Sequence, residues 1–107
     1  MTFKEYQSKA LDTASDRDNE LFHRLLGLVG EAGEIAEKFK KIVRDQDSDF
    51  SKIDTGDMTK ELGDVLWYVA TLSDYLGIEL EEVARVNVAK LQDRKKRGML
   101  YGSGDDR

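Results

Sequence analysis

Cysteine and proline are both absent from this 107-residue chain, and histidine occurs once. Without cysteine there is no disulfide, no thiolate metal site and no cysteine nucleophile. The absence fits a reducing, cytoplasmic setting. Without proline nothing interrupts a long helix. An excess of basic charge is also missing: the net charge is −5, with 36% of residues charged. That argues for a soluble protein and against general nucleic-acid binding, which needs a basic face. No apolar run approaches the length of a membrane span. The opening MTFKEYQSKAL lacks an apolar core, so no signal peptide is expected. One domain over residues 1–107 is the expectation, with room for a modest core.

Hydrophobic periodicity predicts four helices and a tail, and no strand-like alternation, so the expected fold class is all-α. The first helix is placed from Phe3 to Ser15, with Thr2 and Glu5 forming a capping box. The second runs from Glu20 to Arg44 after Asn19 as N-cap, on a sustained stripe from Phe22 through Leu25, Leu26, Val29 and Ile35 to Val43. Asp45 to Gly56 is polar and reads as a loop. The third helix is placed from Met58 to Leu76, with Asp57 or Thr55 at its start and Gly77 as its C′ residue. The fourth runs from Leu80 to Arg97. Glycines beyond it predict a flexible tail over residues 98–107.

Two acidic patterns stand inside the apolar-periodic stretches: Glu31-Ala-Gly-Glu34 and Glu61-Leu-Gly-Asp64. Residues three apart lie about 60° around and roughly 4.5 Å along one helix face. Two such helices packed together bring four carboxylates to one point, and their repulsion calls for a cation. All-oxygen ligation suits Mg2+ or Mn2+. Acidic pairs are common in a chain this charged, and on that reading they are solvated helix charges. Against it stand their apolar setting and the enclosed Gly33 and Gly63, each costing about 1 kcal/mol relative to Ala in a helix. Gly27 and Gly30 add to that cost, and close approach of a backbone or a ligand would account for all four.

Other residues keep two readings each. Lys38 is four after Glu34, which suits a salt bridge along the helix or a phosphate contact beside a metal. Asn87 shares a stripe with Leu80, Ala84 and Leu91 and is expected to point inward. There it would fix helix register, bind a ligand or orient a carboxylate. Tyr68, one turn past Asp64, could stack on a base. His23 reads as a surface or packing residue. A ferritin-like redox centre needs Glu-x-x-His pairs and is rejected, because His23 lies outside both acidic patterns.

With both patterns in view, GLVGEAGEIAEKFKK and KELGDVLWYVATLSDYLGI resemble the core segments of MazG-like all-α nucleoside triphosphate pyrophosphohydrolases. NVAKLQDRKKRG and GSGDDR resemble the ending of short members. The resemblance spans roughly residues 20 to 107. It implies a four-helix bundle completed by oligomerisation, as a dimer or tetramer. It also implies Mg2+-dependent hydrolysis of a nucleoside triphosphate to the monophosphate and pyrophosphate, as a nucleotide-pool house-cleaning activity. By the same resemblance Glu31, Glu34, Glu61 and Asp64 are the metal ligands and catalytic carboxylates, and Asn87 and Lys90 belong to the substrate site. Arg94, Arg97, Asp105 and Arg107 make phosphate or subunit contacts. Glu37 or one of the four carboxylates would serve as base. The alternatives are an inactive helical interaction module, or the related dUTP and phosphoribosyl-ATP pyrophosphohydrolases.

Overall fold

A computed structural model describes residues 1–107 as four α-helices and a short 3-10 turn, without strands. The helices are α1 (Phe3–Leu11), α2 (Glu20–Asp45), α3 (Thr55–Tyr75) and α4 (Leu80–Lys96); the turn is Phe50–Lys52. No helix is long and apolar enough to cross a membrane.

Capping chemistry sets the boundaries. The Thr2 hydroxyl accepts the Glu5 N–H at 3.1 Å and starts α1. The helix stops at Leu11, short of the expected Ser15, because Asp12, Thr13 and Ala14 donate to carbonyls three residues back and tighten the chain. Asn19 adopts a left-handed backbone (φ 66°) and its side chain caps nothing. The entry to α2 is held instead by Ser15, whose hydroxyl donates to Glu20 at 2.8 Å. Asp54, rather than Thr55 or Asp57, caps α3 by accepting the Asp57 N–H at 3.1 Å, so α3 begins three residues before the expected Met58. Gly77 (φ 73°) closes α3 as expected, with the Ile78 N–H reaching Ser73 at 2.8 Å.

Helices α2 and α3 pack antiparallel along their length, and α1 lies across α3, with α4 against α1 and the end of α3. The fully buried apolar set is small: Ala10, Ala70 and Leu80, flanked by Tyr6, Trp67 and Val69. Polar groups supply much of the rest. Buried Gln7 donates to the carbonyls of Ala70 and Ile78, each at 3.1 Å, and accepts the Leu80 N–H at 2.9 Å. One amide thereby joins α1, α3 and the start of α4. Arg24, paired with Glu20, donates to the Thr71 carbonyl at 2.7 Å and ties α2 to α3.

Long apolar stripes remain uncovered. Phe22, Leu25, Leu26 and Val29 on α2, Leu62 on α3, and Val83, Val86 and Leu91 on α4 are exposed. The radius of gyration is 16.8 Å, against about 13 Å for a compact chain of this length. The accessible surface is 7929 Å², against about 6,100 Å² for a folded monomer of this mass.

The tail, expected to be loose, lies folded on α4. Arg107 donates to the carbonyls of Met99, Gly104 and Leu100 at 3.2, 2.7 and 2.9 Å. Asp105 meets Lys90 at 2.7 Å and also accepts from Arg94. The local sequence suggested freedom because it counts glycines; the order comes from one guanidinium that gathers three carbonyls.

Gln7 generates a direct test. Gln7→Leu leaves two carbonyls and one N–H without their partner in a buried position. It should lower stability by about 2–4 kcal/mol, read as a shifted urea midpoint, whereas Gln92→Leu on exposed α4 surface should change little.

Candidate metal centre

The acidic patterns face one another across the α2–α3 pair. One carboxylate oxygen each from Glu31, Glu34 and Glu61 lies within 4.8 Å of the others. Asp64 stands exposed beside them, and its charge acts on both Glu31 and Tyr6. Burial, and then the charges of Glu34, Asp64 and Glu61, push the Glu31 carboxyl above the ordinary carboxylate range. Buried Glu31 Oε2 and Glu61 Oε2 have no hydrogen-bond partner. Buried oxygens are normally satisfied, so two orphans in one carboxylate cluster fit a missing cation. An all-oxygen donor set of this kind suits a hard divalent ion.

Two spacers frame the cluster. At one end the Tyr68 ring fills the notch left by Gly27: a Cβ there would lie 2.2 Å from Cε1 and 2.4 Å from Cζ. Tyr68 also meets Trp67 edge-on, with centroids 4.9 Å apart. The ring is therefore engaged in helix packing. At the other end Lys38 of α2 bridges Asp57 and Glu61 of α3, at 2.5 and 2.7 Å. Those two partners, Asp57 first, hold the Lys38 ammonium above the ordinary lysine range. The salt bridge expected along the helix from Lys38 to Glu34 does not form; the ammonium reaches across to α3 instead. Gly30, Gly33 and Gly63 face open space, so within one chain only Gly27 answers the close-approach reading.

The remaining sequence-derived residues lie apart from this cluster in the single chain. Asn87 is exposed rather than inward, because the stripe it shares with Leu80 and Leu91 is covered at Leu80 but not beyond Ala84. Lys90, Arg94 and Arg107 are committed to the folded tail. Arg97 donates to the Arg107 carbonyl at 2.8 Å. Glu37 pairs with Lys40 on the surface at 2.9 Å, and that partner lowers its carboxyl below the ordinary range, which unsuits it as a base. Asp57 was missed as a site residue: from sequence it reads only as a helix-start aspartate, and its pairing with Lys38 is a cross-helix fact.

The MazG nucleotide pyrophosphohydrolase domain model matches residues 21–99. The chain belongs to the MazG family. The MazG match takes in nearly all of α2 and the whole of α3 and α4, with all four carboxylates and Asn87, Lys90 and Arg94. It leaves α1 and most of the tail outside. The Gene 37 protein of Mycobacterium phage L5 is 48% identical over 109 residues, covering 95% of this chain and 96% of that protein. No solved structure matches this MazG chain.

Glu31 makes stability depend on pH. A carboxyl whose folded-state pKa is raised contributes stability that is fully present below its unfolded value, and loses it as pH rises through the folded value. Glu31 should therefore add thermal stability to the metal-free protein as pH falls from neutral towards the ordinary glutamate value of about 4.3. Glu31→Gln, neutral throughout, should flatten that rise; calorimetric Tm values across the interval, in chelator, provide the check.

Proposed function

We propose that this MazG-family protein is a Mg2+-dependent nucleoside triphosphate pyrophosphohydrolase, releasing the nucleoside monophosphate and pyrophosphate, with Mn2+ as a substitute ion. The observation that carries the reading is the pair of orphaned buried oxygens within the Glu31–Glu34–Glu61 cluster of a chain that belongs to this family. Glu31, Glu34, Glu61 and Asp64 would hold the ion. Mg2+, when bound, neutralises phosphate charge and acts as a Lewis acid on the phosphoryl oxygens. The carboxylates then serve to orient the attacking water at the α-phosphorus, so that catalysis is chiefly positioning and electrostatic stabilisation. Lys38, at the edge of the cluster, would meet phosphate oxygens. A role in clearing unwanted nucleotides follows from the family resemblance and from the generic character of the site.

The working form is a homo-oligomer, a dimer or tetramer. Exposed apolar stripes on α2, α3 and α4 and the excess surface of the single chain support this. Each Å² of apolar surface covered contributes about 25 cal/mol, and further copies of the chain carry stripes of the same kind. In such an assembly Asn87, Lys90, Arg94 and Arg107 of one copy can complete the site of another. Tyr68 would then contact the base only with the part of its ring that Gly27 leaves free.

Two measurements test the reading. Glu34→Gln and Asp64→Asn should each cost about 100-fold or more in Mg2+-dependent turnover, followed as monophosphate and pyrophosphate release from a panel of nucleoside triphosphates, with helix content by circular dichroism unchanged. Wild-type protein that releases nothing from any nucleotide of the panel would favour an inactive helical module. Light scattering at micromolar concentration should give at least a dimer, and a monomer would overturn the assembly.

A further inference from the structure

Lys38 is the only cationic side chain within ion-pair distance of the carboxylate cluster; Glu31, Glu34 and Asp64 have no such partner. Its ammonium divides itself between two acids of different standing. Glu61 belongs to the cluster, is largely buried and leaves its second oxygen unpartnered. Asp57, one turn earlier on α3, lies outside the cluster and is substantially exposed. An ammonium and a divalent ion compete for the same carboxylate, because each is repelled by the other and each draws on the lone pairs of Glu61.

We propose that Lys38 is a resident counter-cation of the metal-free cluster, displaced from Glu61 when the divalent ion enters and retained beside the site by Asp57. This rests on the metal reading given above. In the empty protein Lys38 offsets part of the repulsion among the four carboxylates and holds α2 against α3. On metal entry the ammonium gives up Glu61, keeps Asp57, and has a donor free for an incoming phosphate oxygen. Lys38 is then a positioning residue that sets how much divalent ion is needed to load the site, and Asp57 is the anchor that makes the exchange reversible.

The two partners of this one ion pair should move metal affinity in opposite directions, which a purely structural salt bridge would not do. Mn2+ is titrated calorimetrically into the wild-type oligomer, Lys38→Met and Asp57→Asn, and Tm is measured for each in chelator. Lys38→Met should lower the metal-free Tm yet bind Mn2+ at least threefold more tightly, because the competitor is gone. Asp57→Asn should bind Mn2+ at least threefold more weakly, because Lys38 then rests on Glu61 alone. Lys38→Arg, which keeps the charge, should stay closer to wild type than Lys38→Met does. Mn2+ affinity that is unchanged or weaker in Lys38→Met, or changes of the same sign in both variants, overturns the exchange while leaving the metal site standing. If Lys38→Met does not fold, Asp57→Asn decides: unchanged or tighter binding overturns the proposal. Wild-type protein that binds no Mn2+ at millimolar concentration overturns the metal reading and the exchange together.

Discussion

Repulsion among carboxylates on two packed helices is the constraint from which the rest of the structure follows. Glu31, Glu34, Glu61 and Asp64 belong to neighbouring turns of α2 and α3, and packing those helices forces like charges together. The helices are nonetheless held along their length. Arg24 donates across to the Thr71 carbonyl, Tyr68 seats on Gly27, and Lys38 reaches over to Asp57 and Glu61. Each tie offsets part of a cost that the acidic pairs impose, and the metal-free protein carries the remainder in the raised proton affinity of Glu31.

Much of the chain's order therefore comes from polar groups rather than from a large apolar core. Only Ala10, Ala70 and Leu80 are fully buried apolar residues, whereas Gln7, Glu20, Arg24, Thr71, Ser73 and Arg94 are buried with their polarity intact. Directional hydrogen bonds fix register more strictly than a few small side chains can. Gln7 does this most economically, since its amide meets three backbone groups on two other elements.

The helices were legible because their causes are local. The apolar stripes of α2 and α3, the glycine at the end of α3 and the threonine at the start of α1 act over one or two turns, and the bounds differ by more than one residue only where Asp54 caps α3 or where the turn after Leu11 tightens the chain. The acidic cluster was legible because i, i+3 spacing fixes a face. What the sequence hid are partners set by tertiary packing. Lys38 shows Glu34 four residues back along its own helix, and only packing reveals that it reaches across to Asp57 and Glu61 instead. Gln7 looks like one polar residue among several. Asn87 was expected inside because its stripe is apolar, but within one chain that stripe is covered only at Leu80 and in part at Ala84, and Asn87 lies beyond the cover. The order of the tail was hidden because the carbonyl partners of Arg107 carry no side-chain signature.

The placement of Tyr68 against Gly27 reaches beyond packing. The ring sits about one turn from Asp64, and the notch it fills lies about one turn before Glu31, so its thickness fixes how far apart α2 and α3 stand at that end of the carboxylates. The Lys38 bridge fixes the other end. The four acids thus hang between two spacers of different kinds, one hard and aromatic, the other an ion pair. The spacing of the carboxylates is set at the aromatic end by residues that carry none of the charge.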